Sequence, residues 1–90
     1  MTIDSDSTPL EFPCNYPVKV LGRNSPEFRA RMLQVMALHF GPVESVNVTE
    51  RISRDGNYLS LTCTVRAESR EQLDRTYRDL HSTGLVLYAL

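Results

Sequence analysis

From Cys14 to Val20, apolar residues occupy alternate positions, with Cys14, Tyr16, Val18 and Val20 separated by Asn15, Pro17 and Lys19. A period of two predicts a strand with one buried face, and Pro17 makes its start irregular. After Gly22 the period changes. Phe28, Met32, Val35, Met36 and Phe40 recur at spacings of three and four, predicting a helix to about His39 that lays one stripe on a sheet. Ser25-Pro26-Glu27 marks its start: a hydroxyl to accept from free amides, a proline with no amide to leave unbonded, and an acid at the positive end of the dipole. Gly41-Pro42 ends it.

Two further alternations follow. Val46, Val48 and Ile52 alternate with Ser45, Asn47, Thr49 and Arg51, then Leu59, Leu61, Cys63, Val65 and Ala67 alternate with Ser60, Thr62, Thr64 and Arg66. Between them Arg54-Asp55-Gly56-Asn57 supplies residues that tolerate positive φ, so the pair is a hairpin. Ser69-Arg70-Glu71-Gln72 fits a capping box, in which the Ser69 hydroxyl and the Gln72 side chain each bond the other's backbone amide. The helix it opens buries Leu73, Tyr77 and Leu80. Oppositely charged residues four apart on its outside, such as Arg70/Asp74 and Arg75/Asp79, read as a solvated, paired face. Gly84 closes the helix, and Leu85 to Leu90 is a continuous apolar strand.

Strand, helix, hairpin, helix, strand is the split βαβ plan, an α+β ferredoxin-like sandwich. Right-handed crossovers give a four-stranded antiparallel sheet of order 4-1-3-2 with both helices on one face. The other face is open. Water can cover the Ser, Thr, Asn and Arg side chains of strands two and three there, but not the last strand. Either Leu85, Leu87 and Ala89 or Val86, Tyr88 and Leu90 must point outward, beside Pro17 and Leu21. Such a patch is covered by Leu10 and Phe12 folding back or by a second protein molecule. Leu85, Leu87, Ala89 and Leu21 are therefore the expected interface of a homo-oligomer or protein complex.

The chain has 90 residues, enough for one core and no internal chamber. Residues 1–9 are polar and are expected to form a flexible tail before a single domain over 10–90. With 10 basic and 11 acidic residues the net charge is −1, which gathers neither nucleic acid nor anionic lipid. No apolar run approaches the roughly 20 residues needed to span a bilayer, and the first ten residues lack the basic start and apolar stretch of a secretion signal. A cytoplasmic location is the expectation.

Candidate chemistry is sparse. Cys14 and Cys63 have inward parity on adjacent strands and are expected as neighbouring buried thiols without a charged partner to activate either. His39 and His81 fall in the last turns of two oppositely directed helices, too far apart to share a metal. Glu71 and Asp74 share an exposed helix face that offers nothing to separate their pKa values. Tyr58 alone does not make an RNA-stacking sheet and is expected as a cross-strand contact beside the turn. No catalytic residue, cofactor or metal site is expected.

Leu10-Glu11-Phe12-Pro13, Lys19-Val20-Leu21-Gly22 and Gly56-Asn57-Tyr58-Leu59-Ser60, in that order and followed by an apolar last strand, resemble the YbeD-like family of small bacterial proteins over about residues 10 to 90. The chain departs from the family pattern in carrying Asp55, where a basic residue often precedes the hairpin glycine. The resemblance implies a fold similar to the ACT regulatory domains and a biochemical role that is not established. It also implies a link to lipoate assembly through family gene neighbourhoods. ACT-type domains bind small ligands where the first strand meets the first helix, here Gly22, Arg23, Asn24 and Ser25, whose amides and side chains could grip a carboxylate. The chain is thus expected to be a non-enzymatic regulatory or protein-interaction module, with an ACT-like sensor of amino or carboxylic acids as the alternative.

Overall fold

A computed structural model describes residues 10–90; the expected tail at 1–9 lies outside the described residues. The elements are β1 (Cys14–Arg23), α1 (Pro26–Phe40), a 3-10 turn (Ser45–Asn47), β2 (Val48–Ile52), β3 (Tyr58–Ala67), α2 (Arg70–Ser82) and β4 (Val86–Ala89). The sheet order is β2-β3-β1-β4 with every neighbouring pair antiparallel. This is the expected ferredoxin-like arrangement.

Alternation on β1 and β3 sets the core. Val18 and Val20 lie opposite Cys63 and Leu61, and all four are buried under Phe28, Met32 and Met36 of α1 and Leu73 and Leu80 of α2. Thr76 is buried on α2, with its Oγ1 donating to the Gln72 carbonyl at 2.7 Å, so the hydroxyl carries its own partner inward. Tyr77, expected in the stripe, is half-buried, and its hydroxyl donates to the Leu90 carbonyl.

Several local expectations are corrected. Ser45–Asn47 forms a 3-10 turn closed by Asn47 N donating to the Glu44 carbonyl at 2.9 Å, so β2 starts at Val48. Ile52 faces the helix side opposite Leu59 but remains 58% exposed, because this edge strand extends beyond helix cover. Cys14 lies opposite Ala67 and Cys63 opposite Val18, so the thiols share a face but stand four residues, about 13 Å, apart along the strand. In the hairpin Gly56 takes positive φ, whereas no non-glycine among the described residues does.

At the start of α2, Ser69 Oγ accepts from Gln72 N as expected. Gln72 Oε1, however, accepts from Glu68 N at 2.7 Å rather than from Ser69 N, while Gln72 Nε2 donates to the His39 carbonyl at 2.9 Å. Its amide thereby satisfies a carbonyl left open at the end of α1. The expected charge pairs along α2 are not formed among the described residues. Exposed pairs on one helix gain little in water, and Asp79 instead meets His39 Nε2 of α1 at 2.7 Å.

Candidate functional site

The turn from β1 into α1 was the expected ligand cradle, and the structure uses each of its groups internally. Gly22 is buried against the Phe28 ring and the Leu85 carbonyl. Arg23 lies opposite Tyr58 with its guanidinium carbon 5.6 Å from the ring centroid, the cross-strand role expected for Tyr58. Asn24 donates from its backbone N to the Asn57 carbonyl at 2.9 Å and from Nδ2 to the Gly56 carbonyl at 3.0 Å. Ser25 Oγ accepts from Phe28 N at 3.0 Å. Gly22, Arg23, Asn24 and Ser25 are together in space, but Arg23 and Asn24 dock the turn onto the β2–β3 hairpin while Gly22 packs on Phe28 and Ser25 caps α1.

The last strand is bulged, which overturns the expectation that one strict alternate set faces outward. Val20 pairs with Ala89 and Leu21 with Tyr88, but Gly22 pairs with Val86, so Leu87 is the extra residue. Val86 and Ala89 consequently both pack on the core, as does Leu85. Leu87, Tyr88 and Leu90 are left 59, 57 and 56% exposed. Of the expected interface residues, Leu87 is exposed, Leu21 is half-buried on the open face, and Leu85 and Ala89 turn inward. Phe12 also packs against the core rather than over the open face, while Leu10 stays exposed. β4 is an edge strand, with β1 on one side and no strand on the other among the described residues.

The remaining open face carries a feature the sequence reading missed. Its rows are fixed by register: Tyr58 with Arg23; Arg51, Ser60, Leu21 and Tyr88; Thr49, Thr62 and Lys19; Thr64 with Pro17; Arg66 with Asn15. Lys19, Arg23, Arg51 and Arg66 are all exposed there, and no Asp or Glu occupies a strand position on this face among the described residues. Glu50, the acid in β2, has the other parity and bonds Arg29 of α1 through Nε at 2.7 Å and Nη2 at 2.6 Å. That hydrogen bond and charge raise the Arg29 pKa. The signal was legible as basic residues at the polar positions of three alternating strands.

The remaining chemistry-bearing groups are dispersed. His81 is exposed near the end of α2, as are Glu71 and Asp74 near its start, and His39 is held by Asp79. No group of three or more His, Cys, Asp or Glu among the described residues could hold a metal. Burial raises the Cys63 thiol to about 11, with a smaller opposing pull from Arg29. No described helix is long and apolar enough to cross a membrane.

In fold, the chain is similar to the solution structure of protein HP0495 from H. pylori, with a TM-score of 0.77, 12% identity, and coverage of 100% of this chain and 94% of that one. Its sequence is 45% identical over 89 residues to a UPF0250 protein of Bordetella pertussis, spanning 98% of this chain and 97% of the relative. It is 42% identical over 91 residues to a UPF0250 protein of Neisseria gonorrhoeae, spanning 100% of both. Residues 7–90 match the family described as "Protein of unknown function (DUF493)". These matches bear out the YbeD-like resemblance, and the chain belongs to this DUF493 family of UPF0250 proteins.

Proposed function

We propose that this protein is a non-catalytic interaction module that associates with a second copy of itself through the β4 edge. The observation that carries this reading is the cluster of Leu87, Tyr88 and Leu90, each more than half exposed on a strand whose outer edge has no partner among the described residues. Apolar side chains gathered at one place lose free energy to water until covered, and an unpaired strand edge offers backbone donors and acceptors to a like edge. Two copies related by a two-fold axis can satisfy both needs at once. The Leu87 bulge places an apolar side chain at that edge rather than in the core.

Light scattering over a range of concentrations tests this. The wild type should form a dimer, and Leu87→Asp should be monomeric while keeping its circular dichroism and cooperative melting. A wild type that is monomeric throughout, or a variant with unchanged mass, would overturn the reading. The alternative regulatory role, sensing an amino or carboxylic acid at Gly22–Ser25, would require Asn24 to release the hairpin.

A further inference from the structure

We propose that the open face of the sheet docks an extended acidic protein segment, with carboxylates seated on Lys19 and Arg23 and an apolar residue between them on Leu21 and Tyr88. Lys19, Leu21 and Arg23 are successive open-face positions of β1, so the two cations are four residues, about 13 Å, apart along the strand. An extended segment lying along β1 repeats at the same rise and presents residues i and i+4 at that spacing on one face. Residue i+2 then falls over the row in which Leu21 is opposite Tyr88. The geometry therefore selects Glu-x-Leu-x-Glu.

Charge favours an acidic occupant at each remaining position. Arg51 flanks that central row and Arg66 lies beyond Lys19, while neither they nor Lys19 and Arg23 form an ion pair among the described residues. Among the described residues no acid holds a strand position on the face, and the nearby Glu50 is neutralised by Arg29, so a bound carboxylate meets net attraction there. Beside Lys19, a shallow depression lined by Thr49, Glu50, Arg51, Ser60 and Thr62 continues the face toward β2, with the Glu50 carboxylate engaged by Arg29.

Single-stranded RNA fits less well. One face of Tyr58 is already taken by the Arg23 guanidinium, and Tyr88 stands two strands away on β4, so the face presents no adjacent pair of free rings on which successive bases can stack. The inference shares Tyr88 with the β4 cluster but otherwise rests on β1, and it does not require self-association.

The test is a titration of 15N-labelled protein with a short Glu-x-Leu-x-Glu peptide at low ionic strength. Saturating shifts of the Lys19, Leu21, Arg23, Ser60 and Thr62 amides are expected, weakening as salt is added. Lys19→Glu should weaken binding about tenfold or more, and the milder Lys19→Gln should weaken it less; Lys19 is exposed, and retained amide dispersion verifies the fold. No saturating shifts, shifts centred on the helices, or equal binding of a Lys-x-Leu-x-Lys peptide would overturn the proposal. Tighter binding of a uridine oligonucleotide at the same amides would replace it with nucleic-acid recognition. If Leu87→Asp alters the solution mass but the peptide does not bind, this inference fails and the interaction module stands. Peptide binding with no effect of Leu87→Asp on mass gives the converse.

Discussion

A Cβ at Gly22 would lie 2.3 Å from Phe28 Cε1, 2.6 Å from Phe28 Cδ1 and 2.7 Å from the Leu85 carbonyl oxygen. The first two atoms belong to a fully buried ring and the third to the backbone, so no free end of a side chain can give way. Gly22→Ala should cost about 1–3 kcal/mol through overpacking, measured as a shift in urea midpoint. Phe28→Leu in the same chain should cost less in the Gly22→Ala background than alone, since both changes act on one contact. Equal costs in the two backgrounds would separate Gly22 from the ring. A glycine ending a strand before a helix was legible as a turn and as a ligand cradle alike. Which of the two applies depends on a ring six residues on and a carbonyl 63 residues on, and neither distance is written in a local pattern.

Among the elements, the β2–β3 hairpin shows how a tight turn is held by more than one glycine. Asp55 Oδ1 accepts from Ser53 Oγ at 2.7 Å and from Asn57 N at 3.0 Å, and Ser53 Oγ accepts from Tyr58 N at 3.0 Å. The Asn57 amide first and the Ser53 hydroxyl second lower the Asp55 carboxyl from its ordinary 3.8. A depressed carboxyl contributes stability that is fully present above the unfolded-state value and is lost as pH falls through the folded one. Asp55→Ala should therefore lower the urea midpoint at neutral pH, and its gap from the wild type should shrink as pH falls below about 4. A gap that stays constant into acid would remove the carboxylate from the turn. β1 and β3 were legible because one face is buried and the other wet along most of their length, and the hairpin because its turn residues follow local rules, although β2 itself buries no residue fully. The outward-facing residues of β4 were not, since its bulge comes from pairing with β1, and a wholly apolar run carries no alternation to register it. Gln72 and Asp79 likewise follow local rules until α1 packs alongside and supplies the His39 carbonyl and imidazole.

Across the whole molecule, the cations of the sheet strands lie on the open face, while the acid of β2 is turned toward α1. Net charge near zero concealed that partition, because composition counts charges without assigning them to faces. The two thiols divide in a related way, by position relative to the core. Cys14 stands half-buried at the start of β1, whereas Cys63 is 2% exposed at the middle of β3, which pairs with both β1 and β2. With its thiol raised to about 11, Cys63 is held protonated at pH 8 as well as out of reach of reagents. Cys14 should thus be alkylated by iodoacetamide in the native protein, and Cys63 only when the sheet opens. Peptide mapping at pH 8 across a urea series should show Cys63 labelling rise with the loss of circular dichroism, because its exposure requires separation of helices from sheet. Labelling of Cys63 at the native Cys14 rate would mean that the helices leave the sheet locally while the rest of the fold stands.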